Sequence, residues 1–242
     1  MDHKEHYLYG TLMALAQDQN DAIKKLTTGT LGFLGKSRIQ NRGREIGKFV
    51  TKISNHKNKQ GIQNIYESIQ EDLKHKKWEH LLFSYHGIPE RHIRKSDITK
   101  SHCKIDKSCC QTTSEAHRYC YRHQCYETTR QVAEYLELKE GTYSTSFQSR
   151  LGVDPWLQPY TDQTIARFAK KGVKNMAIVT PAFVSDCLET LEEIGMEAAE
   201  DFEEKGGEEL HVIPCINTRA DWVNVMSRWI DQWAKAETVT SA

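Results

Sequence analysis

The sequence predicts an α/β fold: a mostly parallel sheet with helices on both faces, preceded by a segment of different character. Four short runs rich in apolar and β-forming residues are each followed by a stretch with apolar residues at threes and fours, which is the pattern of strands alternating with amphipathic helices. Short runs without long polar interruptions suit strands buried on both sides, as parallel strands are. A third observation sets the beginning apart. Residues 1–62 carry eleven Lys/Arg against five Asp/Glu, whereas the whole chain balances at 33 of each, and every proline lies at position 89 or later. Residues 1–62 are therefore expected to form a poorly ordered or truncated leader. Residues 63–242 are expected to form the α/β domain, with a cysteine-rich insert at about 98–126.

Taken in order, the strands are expected at His80–Tyr85, Thr142–Phe147, Asn175–Thr180 and Leu210–Pro214, and the helices at about 115–137, 160–171, 186–204 and 219–235. The stretch from Asp186 to Glu193 opens its helix with an acid-rich first turn, as the helix dipole prefers. Gly172 and the pair Gly206-Gly207 are helix stops. Within the leader, two weak helical patterns (about 8–26 and 43–54) flank "TTGTLGFLGKS". That stretch invites a phosphate-loop reading, but no glycine stands five positions before Gly35, so the spacing fails.

The balanced charge removes any bulk field that would draw the chain to nucleic acid or anionic lipid. No apolar run reaches the roughly 18–20 residues that span a bilayer, and the N-terminus lacks a signal peptide's charged-then-apolar order. A cytoplasmic protein is expected, so its seven cysteines are read as thiols or metal ligands rather than a disulfide framework.

Ligands of parallel sheets bind at the carboxyl ends of the strands. That rule places His86-Gly87, Gln148–Arg150 and Pro181–Ser185 on one rim. If His86 and Glu189 face each other there, an imidazole and a carboxylate can hold a divalent ion transiently or take protons from an acidic N–H; alternatively, His86 is a satisfied strand-end residue. Asp186, Glu189 and Glu193 recur at spacings of three and four, either as a path for protons or cations or as a solvated face with Asp186 as a cap. Tyr85, Phe147, Trp156, Tyr160 and Phe183 could stack on a large flat ligand or simply pack the strand ends.

The other concentration of chemistry is C-x5-C-C-x9-C-x4-C: Cys103, Cys109, Cys110, Cys120 and Cys125, with His102, His117 and His123 among them. Thiolates attract zinc or iron–sulfur clusters, the missing C-x2-C pair weighs against zinc, and a redox disulfide pair is the alternative.

"LLFSYHGIPERHI", "SFQSRLGVDPWLQPYTDQTI", "GVKNMAIVTPAFVSDCLETLEEI" and "IPCINTR", in that order over roughly residues 63–235, resemble the ferrochelatases, which insert ferrous iron into a porphyrin in the last stage of haem synthesis. The resemblance implies a chelatase-like (Rossmann-like) sheet, with porphyrin and ferrous iron as partners, protoporphyrin as the first choice of ring, no nucleic acid, and room for a peripheral membrane contact. It gives His86 the role of the active-site histidine and Glu189 that of the second metal or proton site. Asp186 and Glu193 match the acidic path, and Trp156 and Phe183 match residues near the ring. The insert resembles that of bacterial members with a [2Fe–2S] cluster, with Cys103, Cys110, Cys120 and Cys125 as candidate ligands and Cys109 as the alternate for Cys110. Two departures stand out: Cys187 replaces a histidine common in the family, and residues 1–62 match none of its motifs, where members carry a half-domain forming one wall of the cleft. The rival expectations are a catalytically impaired porphyrin- or cluster-binding remnant and a cobalt or nickel chelatase.

Overall fold

The computed structural model of the chain describes residues 59–240. The leader's helical patterns at 8–26 and 43–54, and the stretch 27–37, lie outside the described residues. In chain order the elements are α1 (Lys59–Leu73), β1 (His80–His86), α2 (Glu90–Ser96), α3 (Lys107–Gln111), a 3-10 turn at Glu115–Tyr119, α4 (Tyr121–Tyr135), β2 (Tyr143–Gln148) and α5 (Thr161–Lys170). There follow β3 (Asn175–Val179), a π-helical segment at Glu189–Glu197, α6 (Ala198–Glu204), β4 (Glu209–Val212) and α7 (Ala220–Thr240). Residues 65–215 form one compact unit, which holds the whole sheet; the described residues 59–64 and 216–240 belong to a second. No helix among the described residues is long and apolar enough to cross a membrane.

The four strands pair in the order β2-β1-β3-β4, all parallel. β1 and β3 are the inner strands, and Leu81, Leu82, Phe83, Met176, Ala177 and Ile178 are at most 1% exposed. Side chains alternate across the sheet. Leu82 packs on one face with Ile165, Ala169, Ile194 and Phe202 from α5, the π segment and α6. On the opposite face Tyr85 reaches α4, its hydroxyl 3.0 Å from Thr129 Oγ1. Burial of each large apolar side chain contributes about 1.5–3 kcal/mol, so these two layers hold the strands in register.

All four predicted strands form, within one or two residues of their expected ends. The helices differ more. The stretch 115–137 breaks at Cys120, where the 3-10 turn ends and α4 begins. Within the stretch 186–204, the nine residues Glu189–Glu197 are π-helix before α6 begins. α2 and α3 carry no apolar period that sequence reading could use: in α2 only Ile93 is buried.

Candidate functional site

Strand order fixes where a ligand can enter. From β1 the chain crosses to β2 on one side and later to β3 on the other, so the order reverses between β1 and β3. A crevice opens at such a switch point, outside the carboxyl ends of the two strands. His86 ends β1 there, and the turn after β3 brings Phe183, Asp186 and Glu189 to the same rim.

His86 is half-buried. Its Nδ1 lies 2.6 Å from the Gly87 carbonyl oxygen, which assigns the proton to Nδ1 and leaves Nε2 with a lone pair for a proton or an ion. The main chain is held on both sides: Tyr121 Oη donates to the His86 carbonyl at 2.8 Å, and the Gly87 N–H donates to the Gln148 carbonyl at 2.8 Å. Aromatic rings flank the imidazole, with Phe183 at 6.0 Å and Trp156 at 6.5 Å between centroids. Trp156 is fixed by its indole N–H to the Leu151 carbonyl at 2.8 Å and by a bridge to Pro89.

Glu189 opens the π segment. A hydrogen bond from the Cys187 thiol holds its carboxyl below the usual range, helped by its own backbone N–H and opposed by burial, with His86 adding to the lowering when its ring is protonated. Burial, and then the bond to Glu189, push the Cys187 thiol up, so it is a donor rather than a thiolate.

The other two acids are engaged differently. Asp186 Oδ1 accepts from the Cys215 N–H at 3.2 Å and lies 3.3 Å from Thr190 Oγ1, which ties the turn after β3 to the exit of β4. Glu193 Oε2 accepts from Ser149 Oγ at 3.1 Å, joining the π segment to the end of β2. Ser149 has φ +61°, a left-handed conformation uncommon for a residue with a side chain. Ser149 lies on the rim the strand ends led one to expect, with no role given to it there; Tyr121 was not singled out, being a tyrosine in a charged stretch.

The cysteine-rich insert is built around Asp97. Its carboxylate accepts from the backbone N–H groups of Thr99, His102 and Cys103 at 2.8–2.9 Å and from Thr99 Oγ1 at 2.6 Å. Burial opposes ionisation, but these bonds hold the carboxyl at about 2. Cys103, Cys109, Cys110 and Cys120 line one small cavity with His102 and His117. The two imidazole Nε2 atoms stand 3.3 Å apart. Cys125 is buried one turn into α4, where desolvation pushes its thiol up. None of the seven cysteines is in a disulfide. A hydrogen bond from the Cys110 thiol holds Cys120 below the ordinary thiol range and raises Cys110 in turn. Among the described residues no three His, Cys, Asp or Glu side chains stand in a geometry that holds a metal ion.

A sequence model of the family described as Ferrochelatase matches residues 27–234. The match thus begins within the leader, ahead of the motifs. The protein named Ferrochelatase of Pseudomonas fluorescens (strain SBW25) is 47% identical over 151 residues, covering 62% of this chain and 44% of that protein. Those of Opitutus terrae and Legionella pneumophila subsp. pneumophila are each 46% identical, over 158 residues (65% and 46% of the two chains) and 156 residues (63% and 45%). The chain spans a little under half the length of these curated relatives. The family match covers far more than the histidine motif and includes both sides of the crevice, and on that extent the chain belongs to the ferrochelatase family.

Proposed function

We propose that this chain supplies the iron-handling rim of a ferrochelatase: it inserts ferrous iron into a porphyrin, protoporphyrin first among them, and forms haem with release of two protons. What supports this reading is His86 at the sheet's switch point, its Nδ1 2.6 Å from the Gly87 carbonyl oxygen and its ring 6.0 Å from that of Phe183 in the turn that leads to Glu189. Two donors hold a divalent ion loosely, which suits delivery better than storage. Insertion requires removal of two pyrrole protons and approach of the ion to nitrogen lone pairs. Binding energy from remote parts of the ring can bend it and tip those lone pairs out of plane. His86 Nε2 accepts a pyrrole proton. Glu189 holds the ion or passes the proton outward, with Glu193 and Asp186 further along. Trp156 offers flat apolar surface to the ring, and Phe183, nearly buried, backs the imidazole.

The test is His86→Ala in the full chain under anaerobic conditions, with ferrous iron and protoporphyrin. Loss of a general base costs about 10²–10⁴-fold in rate. Insertion should fall by that order while porphyrin binding, read by fluorescence quenching, persists. Undiminished insertion would refute the assignment. Binding without turnover in the unaltered chain would instead favour a binding remnant.

The same reading extends to a [2Fe–2S] cluster in the insert. Four thiols line one cavity, the residue types such a group takes, although among the described residues they are not arranged to hold a metal ion. The thiols are paired by hydrogen bonds rather than splayed around a centre, so loading would require them to re-aim and lose their protons. Four of Cys103, Cys109, Cys110, Cys120 and Cys125 would hold the group, and no step of insertion is routed through it. Iron and acid-labile sulfide retained after anaerobic reconstitution, and lost when Cys120 is replaced by serine, would support this.

A further inference from the structure

We infer that Tyr121 is a positioning residue for His86: by holding the peptide between His86 and Gly87, its hydroxyl keeps the imidazole proton on Nδ1 and leaves Nε2 open. This rests on the reading of His86 as proton acceptor and deepens it with a residue from outside the sheet.

Strand pairing runs out where the imidazole stands. β1 is paired with β3 only as far as Phe83, opposite Val179, and with β2 as far as His86, opposite Gln148. From there, backbone bonds tie the chain leaving β1 to the end of β2 and the loop after it. The Gly87 N–H donates to the Gln148 carbonyl at 2.8 Å, the Leu157 N–H to the Ile88 carbonyl at 3.1 Å, and the Glu90 N–H to the Pro155 carbonyl at 2.8 Å. The His86 carbonyl is held instead by a side chain, accepting from Tyr121 Oη at 2.8 Å. The peptide joining His86 to Gly87 is thus fixed at its oxygen by Tyr121 and at its N–H by Gln148.

The next carbonyl, that of Gly87, lies 2.6 Å from His86 Nδ1. Glycine adopts a wide range of φ and ψ, so residue 87 does not aim that carbonyl by itself; the bonds on the peptides around it do. The hydrogen bond made by one ring nitrogen sets which nitrogen of a histidine carries the proton. An aimed Gly87 carbonyl therefore leaves the lone pair on Nε2. Tyr121 is well anchored for this task. It is half-buried and opens α4, with Cys120 as the N-cap. About two turns further on, Thr129 Oγ1 lies 3.0 Å from both Tyr85 Oη of β1 and Thr145 Oγ1 of β2. The helix is pinned to the two strands whose ends meet at His86.

Tyr121→Phe keeps the aromatic ring and removes the donor. The peptide then rotates more freely, and the Gly87 carbonyl leaves Nδ1 for part of the time. A share of the neutral imidazole exchanges its proton through solvent from Nδ1 to Nε2, where it can no longer accept one from a pyrrole.

The test uses the full chain carrying isotope-labelled histidine, with His86→Ala to identify the His86 signals. In alkaline buffer, above the ordinary histidine range, nitrogen spectra of the unaltered chain should show His86 protonated on Nδ1, and those of Tyr121→Phe a mixture of both tautomers. With ferrous iron and protoporphyrin under anaerobic conditions, kcat should fall by about five- to tenfold, the worth of one hydrogen bond, while KM for iron changes little. A lowered urea midpoint with unchanged tautomer and kcat would make Tyr121 merely structural and overturn the inference. So would a fall in kcat without a change of tautomer, or a change of tautomer without a fall in kcat. Undiminished insertion by His86→Ala would instead bring down the proposed function, and the nitrogen spectra would still decide whether Tyr121 sets the tautomer.

Discussion

A Cβ at position 87 would stand 2.8 Å from the Gln148 carbonyl oxygen and 3.3 Å from Trp156 Cε3. The first of these is backbone and cannot swing away, so glycine after His86 is a requirement of the close passage between β1 and the end of β2. Gly87→Ala should destabilise the fold by about 1–3 kcal/mol, as overpacking does, and push His86 off the rim. A lowered urea midpoint together with slower insertion is the expected result; an unchanged midpoint would show that the strands separate more easily than their hydrogen bonds suggest. Cys187 acts on a smaller scale, through one hydrogen bond. Its thiol helps keep the Glu189 carboxyl below the ordinary range. In Cys187→Ala that donor is gone, so the Glu189 pKa rises toward its ordinary value and the ionised form is lost sooner on acidification. The acidic limb of the insertion rate should therefore move to higher pH. Cys187→Ser, which keeps a donor, should move it less. A rate–pH profile identical in all three proteins would remove Cys187 from the description of the site.

At the scale of the element, β1 combines an apolar run with a titratable beginning. His80 is 3% exposed; its Nε2 lies 2.8 Å from Ser144 Oγ and its ring 3.9 Å from that of Phe168. Burial, reinforced by the Arg167 charge and opposed by a bond to the Gly141 backbone, lowers its pKa to about 4. Above the unfolded value of about 6.5 both states hold a neutral ring and nothing is lost. As pH falls from there toward 4, the unfolded chain takes up a proton that the folded chain refuses, and stability declines by about 3 kcal/mol. Urea unfolding at pH 7 and pH 5 should show a steeper loss for the unaltered chain than for His80→Gln; equal losses would mean that the ring is not held neutral. The strand itself was legible in the sequence because Leu81–Phe83 are buried on both faces and leave no polar alternation to misread. The π segment was not. Asp186, Glu189 and Glu193 sit at α-helical spacings, and a wider turn also keeps Glu189 near Glu193, so the pattern cannot distinguish the two. Tyr121 was illegible for a different reason: "YRHQ" reads as a solvated helix start, and only the fold carries its hydroxyl to the His86 carbonyl.

The sheet brings together residues nearly a hundred positions apart in the chain: the rings of His86 and Phe183 lie 6.0 Å apart. Nothing in "SYHG" or "SDCLE" taken singly says that the two stretches meet. Parallel topology puts both stretches on one edge, because every strand delivers its carboxyl end there and the order reverses between β1 and β3. If His86 and Glu189 act on one ion and its exchanged protons, they form a unit, and residues acting as a unit are grossly non-additive when removed. His86→Ala and Glu189→Gln should each lower the insertion rate by about 10²-fold or more. The double variant should then be little worse than the poorer single one, because the machinery that the second change would disable is already disabled. Losses that multiply would instead mean that the two groups serve separate steps. The measurement is a four-protein cycle of anaerobic insertion rates at saturating porphyrin and varied ferrous iron, so that an effect on iron capture appears as a change in KM and an effect on proton removal as a change in kcat.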